Sequence, residues 1–227
     1  MYHRTNCLLH FTKDYGALLA ILGDGFRPRY SCENIEWLEF AGDSKIGFPM
    51  VCFCDIPLSL NETHIRYFGS YGIGMSRRWA IDNDINPVRY VQTGSAVAKQ
   101  LKSLHVTDKE TMRALASTTQ DIRFVDECEW RFVPKSKPNS HIPQYIVDHS
   151  LDSPDRLMLW NNRLEESAML SFDTIDIECL IVKNECDIPQ LQNDIAKLYA
   201  GKEQKELVRL CGSIKSIERS RLEFVFV

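Results

Sequence analysis

The run Cys7-Leu8-Leu9-His10-Phe11 is short and apolar, and Leu18, Leu19, Ile21 and Leu22 then recur at helical spacing before Gly23-Asp24-Gly25. This pattern predicts a strand followed by a helix that stops at a glycine C-cap. Residues 27–47 scatter Ile35, Trp37, Leu38 and Phe40 among Arg, Pro, Ser, Glu, Asn and Gly without a steady period. Such a stretch reads as an excursion over a cleft or surface, and loops of that length are often functional. Phe48 to Ile56 is densely apolar and ends at Pro57. Its lack of alternation predicts a strand buried on both faces and central in a sheet.

Helical spacing returns from Leu58 to Phe68, Gly69 to Met75 reads as a short extended segment, and Trp79 to Asp84 as a helical turn. Asn86-Pro87-Val88-Arg89-Tyr90-Val91 reads as a strand entered after a proline. From Ser95 to Gln120, Val97, Leu101 and Leu104 and then Met112, Leu115 and Ala116 recur at spacings of three and four, which predicts helices serving as a crossover or lid. Phe124 to Val133 is strand-like and stops at Pro134, and Lys135 to Ser140 is the most linker-like part of the chain. A strand at Ile177 to Val182, a helix at Pro189 to Tyr199 and a last, sheet-docked strand at Arg221 to Val227 complete the pattern, with no internal repeat. The expectation is one α+β domain over 1–227, with its core in 1–134 and a C-terminal extension over 141–227 that completes the sheet.

Composition supports a folded domain, since 44% hydrophobic and 10% aromatic residues are enough to build a core over 227 positions. The eight cysteines are scattered, and Met1-Tyr2-His3-Arg4 leads straight into a strand-like run rather than a secretory signal, so reduced thiols in the cytoplasm are expected. No apolar stretch approaches the ~20 residues that cross a bilayer, so no membrane partner is expected. A net charge of −4 argues against a protein that coats nucleic acid non-specifically. It leaves room for a local basic groove, for which Arg77-Arg78 and Arg27-Pro28-Arg29 are candidates.

On a strand of period two, Glu127, Glu129 and Arg131 share one face while Cys128 and Trp130 share the other. Either this is the solvated side of an edge strand, or the two carboxylates converge on a cleft where one stabilises developing positive charge and the other activates a nucleophile. His10 and Thr12 likewise project together from the first strand. Cys52, Cys54, His64 and the more distant Cys32 offer a zinc set, but no second pair has the spacing of a metal module, and no metal is expected. Gly69-Ser70-Tyr71-Gly72-Ile73-Gly74 matches neither the dinucleotide fingerprint nor the Walker loop. The Gly-x-Ser-x-Gly elbow and the His-Glu-x-x-His motif are also absent.

Taken in order, His10-Phe11-Thr12, Gly25-Phe26, Pro49 to Ser59, Tyr71 to Gly74, Trp79-Ala80, Asn86-Pro87-Val88 and Glu129-Trp130-Arg131 resemble the AbiGi family of abortive phage-resistance proteins over residues 7 to 134. That family is commonly labelled antitoxin, which implies a partner protein. The same order resembles the ADP-ribosyltransferase fold, a mixed or antiparallel sheet with flanking helices, and within it the DarT-like enzymes that modify nucleic-acid bases. The resemblance implies NAD as substrate, with His10, Thr12, Tyr30 and Phe53 as its binding residues. It makes Glu129 the catalytic carboxylate, with Glu127 as its accessory. The asparagine of the DarT pattern falls near Tyr15 or Gly16, and the arginine at the end of the second strand falls near Asp55-Ile56, leaving Arg27, Arg66 or Arg77 to supply it.

The leading expectation is therefore an NAD-dependent mono-ADP-ribosyltransferase acting as a phage-defence toxin, with nucleic acid as one candidate acceptor. Its rival is a non-catalytic antitoxin or sensor that binds a cognate toxin or a phage protein. A third reading, a nuclease holding a divalent ion on Asp55, Glu127 and Glu129, ranks last.

Overall fold

The apolar run at the start of the chain forms strand β1 (Cys7–Thr12), and Asp14 then caps helix α1 (Tyr15–Asp24) by accepting from the Ala17 N–H at 2.7 Å. The helix ends at the expected glycine: the Gly25 N–H donates to the Ile21 carbonyl at 2.8 Å, and φ is 89°. The computed structural model describes residues 6–34, 45–103, 112–114, 118–119, 122–123, 127–134, 146, 153–164 and 168–218. These fall into two compact units. The first holds the described residues up to Gly25, Phe53–Asp84 and those from Ser171 on; the second holds the described residues of Phe26–Cys52 and Ile85–Leu170.

In the first unit, β4 (Tyr71–Ser76) is the organising strand. It pairs antiparallel with β1 over its whole length, from Cys7↔Ser76 to Thr12↔Tyr71, and on its other edge with β11 (Ile177–Val182). Strand β12 (Ile214–Ser216) joins β11 in parallel, so the sheet is mixed. The far edge of β1 takes the end of β3 (Lys45–Cys54) at Leu9↔Cys54. Helix α6 (Ile188–Leu198) buries Leu191 and Ile195, one turn apart, and packs with α1 and α7 (Gln204–Gly212). Leu8, Leu18, Ile73, Met75, Leu180 and Leu210 form a core without solvent exposure.

Two polar devices fix where β3 leaves this sheet. Asn61, fully buried, donates to the Ile56 carbonyl at 2.6 Å and accepts from the Cys54 thiol at 3.7 Å, just before helix α2 (Glu62–Phe68). Ser76 caps α3 (Arg77–Asp82), bringing Arg77 against Asp55.

The second unit contains the rest of β3, which pairs antiparallel with β2 (Arg29–Asn34) from Arg29↔Met50 to Asn34↔Lys45. Strand β10 (Glu129–Phe132) lies between β3 and β5 (Asn86–Pro87). Two short ladders join β6 (Arg89–Val91) to β7 (Met112–Ala114), and β8 (Thr118–Thr119) to β9 (Ile122–Arg123). Helix α4 (Ala96–Ser103) precedes the ladders' later strands, and α5 (Pro154–Leu164) packs on β2, where Asn161 accepts from the Tyr30 N–H at 2.7 Å.

Several elements differ from expectation for one shared reason, a pairing partner remote in sequence. Among the described residues of 95–120, the helical spacing yields a helix at Ala96–Ser103, whereas Met112–Ala114 is a strand because it pairs with Arg89–Val91. Arg29–Asn34, in the stretch without a steady period, is a strand because β3 supplies its register. Of the strand expected over Phe124 to Val133, Glu129–Phe132 is strand and Glu127 and Cys128 are not, while residues 124–126 lie outside the described residues. The expected strand Arg221 to Val227 and the linker Lys135 to Ser140 lie outside the described residues. Among the described residues no helix is long and apolar enough to cross a membrane.

Candidate functional site

In the second unit the charged face of β10 is buried. Glu129 and Arg131, two apart on a strand, project to the same side, with 6% and 1% of their surface exposed. The Arg131 Nε donates to Glu129 Oε1 at 2.8 Å, and its Nη2 donates to Glu129 Oε2 at 3.0 Å. Nη2 also donates to Glu33 Oε1 at 2.8 Å, which ties β10 to β2. A guanidinium in this position grips a carboxylate with both arms, the strongest geometry open to an ion pair. Burial by itself would weaken the guanidinium's hold on its proton, but Glu129 and then Glu33 outweigh it and keep Arg131 charged well beyond its ordinary range. The solvated-edge reading of this strand is thereby overturned.

Glu127 does not share the strand. Cys128 sits at φ 42°, a left-handed conformation unusual for a residue with a side chain, and β10 starts one residue later. The expected parity of Glu127 with Glu129 therefore breaks at Cys128, although Glu127 is itself buried, at 8% exposure. The Glu129 N–H donates to the Tyr90 hydroxyl at 3.0 Å, fixing the start of the strand from β6.

Cys52 completes the cluster. Burial first, and then the negative charge of Glu129, push its thiol well above the ordinary cysteine range; Arg131 opposes this, and a hydrogen bond to Glu129 adds to it. The carboxylates of Glu129 and Glu33 disfavour a neighbouring thiolate. The expected consequence is selective reactivity. At pH 8 a thiol reagent such as dithionitrobenzoate should modify the exposed Cys32 and Cys186 rapidly in the folded protein and leave Cys52 unmodified until denaturant is added. Mass-spectrometric mapping of the labelled cysteines reads this directly, and early labelling of Cys52 would contradict it.

The first unit places the other candidates. His10, half-buried on β1, lies 5.7 Å from the Phe53 ring; Phe53 meets Trp79 edge-on at 5.8 Å; and the Trp79 indole donates to the Ser171 carbonyl at 3.1 Å. Thr12 ends the same strand, opposite Tyr71. Arg77 pairs with Asp55 and Arg78 with Asp82, so the Arg77-Arg78 candidate for a basic groove already faces carboxylates.

Tyr30 belongs to the second unit, where it is 2% exposed, packs in a core with Ile146 and Leu164, and meets Trp160 edge-on. Burial pushes its phenol up to about 12. The structure thus brings His10 together with Phe53 in one unit, and Glu129 together with Arg131 in the other. Among the described residues no group of three or more His, Cys, Asp or Glu side chains is arranged to hold a metal. All eight cysteines lie among the described residues and none is in a disulfide.

Sequence reasoning found Glu129, Arg131 and Cys52 but not their mutual attachment, and it missed Glu33 and Tyr90. Glu33 stands in a stretch without periodicity, and Tyr90 resembles any aromatic of a strand; neither carries a local signal.

The chain is similar to proteins described as abortive phage resistance proteins. Residues 26–120 match a family described as "Putative abortive phage resistance protein AbiGi, antitoxin". This segment includes Tyr30, Phe53 and Arg77 and leaves out His10, Thr12, Glu127 and Glu129. The chain is also similar to an abortive phage resistance protein AbiGi of Lactococcus lactis subsp. cremoris, with 24% identity over 224 residues covering 78% of this chain and 90% of the relative. No solved structure matches the chain.

Proposed function

We propose that this chain serves in abortive phage resistance as a non-catalytic, antitoxin-type component that binds a cognate toxin protein. The observation that carries this reading is the state of Glu129. Both of its carboxylate oxygens are engaged by Arg131, and it is 94% removed from solvent by the 6% exposure given above. A carboxylate held in this way braces the guanidinium of Arg131, which in turn ties β10 to Glu33 on β2, whereas stabilising an oxocarbenium ion or activating a nucleophile needs an oxygen turned toward substrate. The similarity to proteins of abortive phage resistance, with the antitoxin description of the matched family, supports the same role.

A second reading keeps one specific observation in its favour. His10 is seated on Phe53, and Arg77 lies against Asp55 at the end of β3, where the ADP-ribosyltransferase resemblance expects an arginine. On that reading NAD is the substrate, contacted by His10, Thr12, Tyr30 and Phe53. Glu129 assisted by Glu127 would act on the ribose, and a nucleic acid is one candidate acceptor.

One experiment separates the two. The gene is expressed alone in a bacterial host and then together with its chromosomal neighbour, with growth, complex formation and transfer of label from radioactive NAD all followed. The antitoxin role predicts normal growth alone, relief of a toxic neighbour, co-purification with it, and no transfer of label. Growth arrest by the chain alone, with label transfer abolished in Glu129→Gln, would overturn it in favour of the enzyme.

A further inference from the structure

Helix α5 packs into the second unit through Leu157 and Trp160, which lie against the core of Tyr30, Ile146 and Leu164, while Asn161 accepts from the Tyr30 N–H. The opposite side of the helix carries Asp155, Leu159 and Arg163, spaced four apart, with Met158 beside them. All four are exposed. Met158 and Leu159, at 56% and 60%, are the only two consecutive positions among the strongly exposed large hydrophobics of the described residues. Exposed apolar side chains are ordinary on a protein surface, so this pair by itself selects no partner. The charges around it do.

Asp155 precedes Leu159 by four residues and Arg163 follows it by four. At a rise of about 1.5 Å per residue, opposite charges therefore stand about 6 Å to either side of Leu159 along the helix. Neither has an ion-pair partner within the chain among the described residues. Arg163 is steadied instead by the Trp160 ring, with its guanidinium carbon 4.8 Å from the ring centroid, which leaves its N–H donors for a carboxylate.

Such a face is its own complement. When two copies of α5 lie antiparallel about a two-fold axis beside Leu159, position 159 meets itself, and position 155 of each copy meets position 163 of the other. Asp155, Leu159 and Arg163 form one ridge of four-residue spacing, the kind that packs along an equivalent ridge at about −50°, the commonest helix crossing. A parallel arrangement would set like charges together. We infer that the protein forms a two-fold homodimer through the outer face of α5, with Leu159 against Leu159 at the axis and two symmetric Asp155–Arg163 ion pairs flanking it. Exposed ion pairs contribute little energy, so they set the orientation while Leu159 and Met158 provide the apolar burial. A helix of 11 residues covers less than the standard interface of about 1,600 Å², and the dimer accordingly forms and dissociates with concentration. The face belongs wholly to the second unit and does not depend on the proposed partner-binding role.

Sedimentation velocity on the full chain, from micromolar to near-millimolar concentration, is expected to show a monomer that converts to a dimer. Asp155→Arg puts arginine at both charged positions and Arg163→Asp puts aspartate at both, so each variant alone should dimerise at least about tenfold more weakly. Mixed in equal amounts, the two should form a heterodimer about as strongly as wild type, because every arginine then faces an aspartate. Leu159→Asp, which sets two carboxylates together at the axis, should abolish association. Circular dichroism checks that these variants, changed only at exposed positions, stay folded. A wild type that is monomeric at every concentration overturns the inference, as does a dimer that both charge variants retain or that their mixture fails to restore. Should a charge variant not fold, undiminished dimerisation of Leu159→Asp overturns it.

Discussion

Replacing Arg131 by methionine is expected to destabilise the protein by about 3 to 5 kcal/mol, the usual result of stripping a buried ion pair of one partner. Arg131 is 1% exposed and is the shared donor for Glu129 and Glu33, so its loss removes the guanidinium that holds both oxygens of buried Glu129 and one oxygen of half-buried Glu33. Methionine is close to arginine's stem in length and apolar character, which confines the effect to the lost charge. The sharper prediction concerns the combined variant Glu33→Gln, Arg131→Met, Glu129→Gln, in which all three of these charges are removed. Because the desolvation of a buried pair offsets most of its attraction, this triple change should recover most of the stability lost by Arg131→Met alone. Urea unfolding, followed by both tryptophan fluorescence and circular dichroism because the chain has two units, measures each. A loss under about 1 kcal/mol in Arg131→Met, the range of a surface pair, would show that solvent reaches the cluster. The triple variant also bears on function: with Glu129 neutral, retained partner binding fits a strut, and lost label transfer fits a catalyst.

The substitution Gly69→Ala is the second large effect. Gly69 turns the chain from α2 into β4 at φ 119°, and a Cβ there would stand 2.1 Å from the Thr12 carbonyl oxygen and 2.3 Å from its carbon. Both objects of the clash are backbone, so no rotamer change relieves it. Left-sided backbone strain of about 1 to 3 kcal/mol adds to overpacking of similar size, and a total loss above about 3 kcal/mol is expected. Gly94→Ala is the matched comparison. Gly94 also has positive φ, 74°, but nothing lies within 4 Å of its would-be Cβ, so only the conformational penalty of about 1 to 2 kcal/mol applies. Equal losses at the two positions, in parallel urea titrations, would mean that the Thr12 contact yields and that β1 is not pinned at its end.

Much of the first unit was legible because its signals are local. The run at Cys7, the apolar spacing of α1, the glycine that ends it and the amphipathic face of α6 each depend on residues within a few positions of one another. The same is true of β3, whose unbroken apolar run announced burial on both faces. Where two distant segments had to find each other, the reading failed. Met112–Ala114 has helical spacing and is a strand; Arg29–Asn34 has no period and is a strand. The strand parity that put Glu127 beside Glu129 assumed an extended Cys128, and a single left-handed residue undid it.

The candidate site divides in the same way. Sequence alone determined which chemistry-bearing residues exist and that Glu129 and Arg131 share a strand face, because side-chain direction alternates along any strand. Only the tertiary structure decided that this face is buried, that Arg131 takes both oxygens of Glu129, and that Glu33 and Cys52 complete the cluster. Burial and partner choice depend on which strand lies next to which, and that is fixed by contacts between residues up to 98 positions apart, as with Arg131 and Glu33. The same holds for α5: the four-residue spacing of Asp155, Leu159 and Arg163 is local, but only the packing of Leu157 and Trp160 on the core decides that theirs is the side left exposed.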